Sequence, residues 1–186
     1  FYEVVLCHRV CTIKLFPWME SNTLFISWGF LFESLPAPML IVVTFVSSLV
    51  HLYSSGYMSE DPHLPRFMSY LSLFTFFMLM LVTADNYVQL FLGWEGVGIA
   101  SYLLINFWFT RIAANKSAIK ALIVNRVGDF WLILAIGAIF MEFKSLEFPI
   151  IFSTGYFFQN QIFDFFFFEL DKLTVISIVL FMGAVG

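Results

Sequence analysis

The stretch that most constrains this chain is Asn86 to Phe109, NYVQLFLGWEGVGIASYLLINFWF. A helix needs about 20 apolar residues to cross a bilayer, and this run is long enough. Its one charged residue is Glu95. An ionised side chain at mid-span costs roughly 2.5 kcal/mol or more, so such groups are paired within a helix bundle or stand on an ion pathway. Glu95 is therefore expected inside a bundle, near mid-membrane and turned away from acyl chains. Gly96 and Ala100, four apart on one face, would let a second helix approach closely.

Composition settles the class. The chain has 186 residues, 61% of them hydrophobic and 12% charged, which excludes a soluble domain of this size. The formal net charge of -4 is spread over loops and gives nucleic acid no basic surface to bind. Cys7 and Cys11 flank His8 and Arg9, too few ligands for a metal site, and are read as structural thiols. Neither a phosphate-binding glycine loop nor a nucleophile elbow is present. Phe1 is not an initiator methionine, and VISIVLFMGAVG stops inside an apolar run. The chain is expected to be a piece of a longer membrane protein.

Residues 1–34 are expected to hold the tail of an earlier helix, at Phe1 to Leu6, and an extramembrane hairpin. Its strands would be TIKLF and TLFISW, turning through PWMESN. The transmembrane bundle would occupy 35–186, with spans at about 35–58, 67–83, 86–109, 118–140 and 173–186. Pro36 and Pro38 suit the opening turn of the first span. Pro62 and Pro65 would hold the loop that follows it. A long polar-aromatic connection is expected over 141–172. Basic residues favour the non-translocated side. That rule puts loops 59–66 and 110–117 on the matrix or cytoplasmic face and the hairpin on the other.

The remaining intramembrane polar groups are few. His51 lies among Ser47, Ser48, Tyr53, Ser54 and Ser55, as a hydrogen-bonded packing residue or as a proton relay that titrates near neutral pH. Arg126 and Asp129 are three apart on one helical face and are expected to form a pair that faces the interior, for structure alone or for transport. Lys120, nine residues before Asp129, falls about half a turn out of phase at ~100° per residue. It must address another neighbour or lie at the interface. Glu95, Asp129, Arg126, Lys120 and His51 together make the inventory of a proton path. Nothing in the chain offers chemistry on an organic substrate.

The runs LVTADNYVQLFLGWEGVGIASYLLINFWFTR and KALIVNRVGDF, with SSLVHLYSSGYMSEDPHLPRFMSYLSLFTFFMLML upstream, resemble the antiporter-like membrane subunits of mitochondrial respiratory complex I. The resemblance is sharpest from Ser47 to Phe130. It departs from the family's pattern at the prolines of LPAPM and at TAD, where T-G-D is commoner. It implies an all-α transmembrane bundle built from inverted repeats, of which this chain holds most of the first. The implied activity is proton translocation as a subunit of NADH:ubiquinone oxidoreductase, coupled to quinone reduction elsewhere. No cofactor is implied on this chain; NADH, FMN, iron–sulfur clusters and ubiquinone would belong to other subunits. The family's essential glutamate would be Glu95, its R-V-G-D charges Arg126 and Asp129, and its V-H-x-Y histidine His51. A family lysine would follow Gly186 directly.

Implied partners are other membrane-arm subunits, the remainder of a longer chain carrying that lysine, and lipids such as cardiolipin. The implied location is the mitochondrial inner membrane. Two rival classes stand beside this reading. One is a subunit of a multisubunit sodium/proton antiporter; the other is a purely structural membrane module in which the charges only lock helices together.

Overall fold

A computed structural model describes residues 4–5, 9–158, 162–165 and 168–186. The helix tail expected at Phe1 to Leu6 lies outside the described residues except for Val4 and Val5, as does Cys7. Cys11 is exposed, with a free thiol.

Two strands, β1 (Cys11–Ser21) and β2 (Leu24–Phe32), form a two-stranded sheet. The turn is tighter than the PWMESN expectation: Pro17 to Ser21 remain in β1, and Asn22 and Thr23 make the reversal. Asn22 has φ 41°, the left-handed backbone that two-residue hairpin turns demand and that asparagine tolerates. Pro17 is exposed, and in a two-stranded ribbon a residue without an N–H is tolerated at an edge.

Among the described residues four helices are long and apolar enough to cross a membrane: α1 (Pro36–Tyr57), α2 (Leu64–Val82), α3 (Tyr87–Ile105) and α4 (Ile112–Phe143). The all-α, multi-pass architecture with a small hairpin is thus present. Several boundaries differ from the sequence expectation. Pro65 opens α2 instead of holding the preceding loop, because a proline costs little in a first helical turn. Arg66 thereby becomes a helix residue. α3 ends at Ile105 rather than 109. Beyond it, the Arg66 guanidinium hydrogen-bonds the Phe107 carbonyl at 3.4 Å and lies 4.9 Å over the Phe107 ring. α4 starts at Ile112 rather than 118. Its 32 residues make it ~48 Å long at 1.5 Å per residue, well beyond a ~30 Å hydrocarbon core.

The long polar-aromatic connection holds structure of its own. It contains α5 (Phe148–Thr154), a 3₁₀ turn at Gly155–Phe158, and the antiparallel strands β3 (Ile162–Phe165) and β4 (Phe168–Asp171), with Ile162 opposite Asp171. α6 (Lys172–Val185) closes the described chain; its 14 residues reach only ~21 Å.

The chain divides into two compact units. The first comprises Phe1–Lys14, Gly29–Asp85 and Gln89–Leu122, and so holds α1, α2, most of α3 and the start of α4. There α3 packs on α2 at glycines: a Cβ at Gly93 would lie 2.7 Å from the Leu81 Cα, and one at Gly96 would overlap the Phe77 ring. The second comprises Leu15–Trp28, Asn86–Val88 and Ile123–Gly186. Its core is aliphatic, with Ile26, Ile139, Leu146, Ile151 and Ile176 buried and Trp18, Tyr87 and Phe143 packed around them.

Candidate proton-transfer site

Glu95 stands near the middle of α3, half-buried, beside the glycines that seat this helix. The close-packed stripe is wider than the Gly96–Ala100 pair: Gly93, Gly96 and Ala100 are all buried. Gly93 was legible as a third small residue at helical spacing and was missed. Trp94 and Glu95 both have interaction partners in the folded chain.

The N-terminal approach to α3 is fixed by polar groups that carry no signal in a hydropathy reading. Within the first unit the Gly29 N–H donates to Gln89 Oε1 at 3.3 Å, and the Leu31 N–H to the Thr83 carbonyl at 2.9 Å. Any side chain at Gly29 would collide with the Asp85 carboxylate. Thr83, Asp85 and Gln89 are all buried. Buried polar groups are costly unless they are satisfied, so this cluster specifies one arrangement.

His51 on α1 is half-buried and makes three polar contacts. Its Nδ1 lies 2.7 Å from the Ser47 carbonyl and 3.3 Å from Ser47 Oγ, and its Nε2 lies 3.2 Å from Ser72 Oγ on α2. Ser47 Oγ in turn sits 2.7 Å from Thr75 Oγ1. A cavity of about 450 Å³ opens here, lined by Ser47, His51 and Thr75 among valines of α1 and apolar residues of α2 and α3. Both sequence readings of His51 therefore survive: it is hydrogen-bonded, and it borders space.

Lys120 is exposed on α4 and makes no hydrogen bond or ion pair among the described residues. Because α4 begins at Ile112, Lys120 stands only ~12 Å from the helix start, within reach of the interface for a long side chain.

In the second unit Arg126 and Asp129 approach to 3.8 Å between Nη1 and Oδ2. The pair does not face the interior as a whole: the Asp129 side chain is 7% exposed, whereas that of Arg126 is 59% exposed. Gly128 between them takes the end of α6, since a Cβ there would lie 2.7 Å from the Gly186 Cα and 2.9 Å from the Gly183 carbonyl. A second buried polar group, missed from sequence, ties this unit's hairpin to its helices. Asn86 Nδ2 donates to the Ser27 carbonyl at 2.9 Å, Ser27 Oγ donates to Glu147 Oε1 at 3.4 Å, and Asn86 and Glu147 form a β-bridge. Lys172 and Glu142 pair at 3.0 Å between α6 and α4. Among the described residues no cluster of three or more His, Cys, Asp or Glu is placed to hold a metal ion.

Of the five candidates, then, Glu95 is half-buried on α3, Arg126 and Asp129 come together, His51 finds hydroxyls, and Lys120 makes no hydrogen bond or ion pair among the described residues. Residues 84–186, more than half of the chain, match the family model described as NADH:quinone oxidoreductase/Mrp antiporter, TM. The chain belongs to this antiporter-like family. Residues 18–68 match a second model, the N-terminus of chain 5 of NADH-ubiquinone oxidoreductase (complex I). Relatives of the antiporter-like family align over the whole chain. NADH-ubiquinone oxidoreductase chain 5 of Chondrus crispus is 62% identical over 186 residues. The proteins of that name from Marchantia polymorpha and Dictyostelium discoideum are 60% and 54% identical. The chain spans 28% of the length of each of these three relatives.

Proposed function

We propose that this chain is the proton-conducting first part of a membrane-arm subunit of NADH:ubiquinone oxidoreductase in the mitochondrial inner membrane. Protons cross by way of Glu95, Asp129, Arg126, Lys120 and His51, and quinone reduction takes place on other subunits. The observation that carries the reading is Glu95, a carboxylate at the middle of an apolar helix that glycines press against its neighbour. The identity to chain 5 relatives along the whole chain supports the same assignment.

The energetics are reasonable. Moving one charge across 100 mV takes about 2.3 kcal/mol, and one pKa unit is worth about 1.36 kcal/mol. A cation arriving beside a carboxylate favours its charged form and one leaving favours the protonated form, so a movable cation would alternate Glu95 between the two. Gly186 lies against Gly128, so a lysine following Gly186 would be delivered to α4 beside Asp129. Arg126 is exposed at mid-helix on α4. An arginine facing hydrocarbon is costly, so further polypeptide covers this face: the rest of a longer chain or another membrane-arm subunit. NADH, FMN, iron–sulfur clusters and ubiquinone reside on other subunits in this reading, and cardiolipin is among the bounding lipids.

Fractionation of native membranes tests the proposal, with mass spectrometry of the complex that co-migrates with the chain. Co-migration with NADH:ubiquinone reductase activity is expected. Co-migration with a cation-dependent antiporter lacking quinone reductase would replace the reading with the sodium/proton alternative, which the Mrp part of the family description keeps in view.

A further inference from the structure

The α1–α2 seam holds a titratable group whose two charge states are both satisfied without moving a heavy atom. His51 Nδ1 faces the Ser47 carbonyl at 2.7 Å, and a carbonyl only accepts, so Nδ1 carries a proton in the neutral and the charged ring alike. That leaves Nε2 as the nitrogen that gains and loses a proton. Its neighbour at 3.2 Å is the Ser72 hydroxyl, which also reaches the Met68 carbonyl at 3.0 Å. With the ring neutral, Ser72 donates to Nε2. With the ring charged, Nε2–H donates to Ser72 Oγ, and the Ser72 O–H turns to Met68.

The other side of the ring is fixed in the same way. Thr75 Oγ1 donates to the Leu71 carbonyl at 2.9 Å and accepts from Ser47 Oγ at 2.7 Å, leaving Ser47 Oγ to accept from Nδ1–H. Neither Asp, Glu, Lys nor Arg from α1, α2 or α3 lines the adjoining cavity of about 450 Å³. Among the described residues the ring is therefore held by two hydroxyls and one carbonyl, with no carboxylate bonded to it to trap the proton, as a site that must release its proton requires.

Resting on the proton-moving reading above, we propose that His51 is a proton-storage site, that Ser72 is the hydroxyl that switches with its charge, and that Ser47 and Thr75 are positioning residues that hold its tautomer. One N–H bond forms at Nε2 as a proton arrives from water, and the same bond breaks as the proton leaves to water. Hydrogen bonds to a charged group are worth more than those to a neutral one. Losing the Ser72 hydroxyl therefore harms the imidazolium more than the imidazole.

The test uses the full-length subunit in its assembled complex, reconstituted in proteoliposomes, with proton translocation measured from about pH 6 to 8 across the histidine range. Ser72→Ala is expected to lower the pH of half-maximal pumping by about half to one unit, while Ser72→Thr restores the wild-type profile. His51→Gln, which keeps polar ends but does not titrate, is expected to remove that pH dependence; it gives the same reading should Ser72→Ala assemble poorly. Glu95→Gln serves as the control. Lost pumping in Glu95→Gln together with wild-type profiles in Ser72→Ala and His51→Gln would overturn the storage site and leave the proton-moving reading standing. Wild-type pumping in Glu95→Gln would overturn that reading, and the storage site with it.

Discussion

The two units of this chain are held together by different forces. The second buries an aliphatic core, Ile26, Ile139, Leu146, Ile151 and Ile176, around a hairpin and the ends of helices. The first buries almost nothing apolar along its longest helices. Of α1 only Ala37 and Ser54 are buried, and of α2 only Met80, while Val42, Phe45, Val46 and Leu49 are exposed. Its helices meet instead through hydroxyls and glycines: Ser47 on Thr75, His51 on Ser72, Gly93 on the Leu81 backbone. In lipid there is no hydrophobic gain from joining two helices, so close backbone packing and hydrogen bonds take over. A core that excludes water and a seam of hydroxyls serve different ends, and the seam is where a proton has polar atoms to meet.

Truncating the core should break this contrast most sharply. Ile139→Ala removes a residue 1% exposed and should cost about 2–5 kcal/mol. The half-exposed Val46 should tolerate alanine with little loss; thermal unfolding of the two variants in the full-length protein compares them. Next comes Gly93→Ala, whose new Cβ would lie 2.7 Å from the Leu81 backbone and would push α3 off α2. Overpacking of this kind costs about 1–3 kcal/mol, and the yield of assembled complex should fall accordingly. Ser27→Ala should cost about 0.5–1.5 kcal/mol, the net worth of one hydrogen bond, because Glu147 loses its hydroxyl donor. Asp129→Asn weakens an ion pair three apart on the helix, an interaction that contributes about 0.2–0.5 kcal/mol. That variant should assemble normally and transport protons poorly; wild-type pumping in proteoliposomes would remove the pair from the pathway.

Hydropathy and proline placement made the helices legible, because a bilayer imposes one length scale and one polarity. They misjudged boundaries where a side chain decided the matter: Pro65 starting α2, Arg66 taking the Phe107 carbonyl, Asn22 closing the hairpin. The spacing of Arg126 and Asp129 foretold their pairing, since positions three apart share a helical face. Ser72 and Thr75 were not foretold as partners of the His51 seam, because contact between different helices leaves no periodic trace. The same holds for Gln89, which meets Gly29 across 60 residues of sequence, and for Glu147, which meets Ser27 across 120. The segment 148–171 read as connection because its strands are four residues each, too short for alternation to show.

The central claim is that Glu95 carries protons and does not merely fasten α3. It is tested most directly by the initial rate of proton translocation in proteoliposomes containing the assembled complex with Glu95→Gln, alongside the amount of complex assembled. The amide keeps the size and hydrogen-bonding ends of the carboxylate and removes its titration. The account predicts wild-type assembly with translocation reduced by about 100-fold, the lower end of what removing an acid–base group costs. Wild-type translocation, or a complex that fails to assemble, would contradict it.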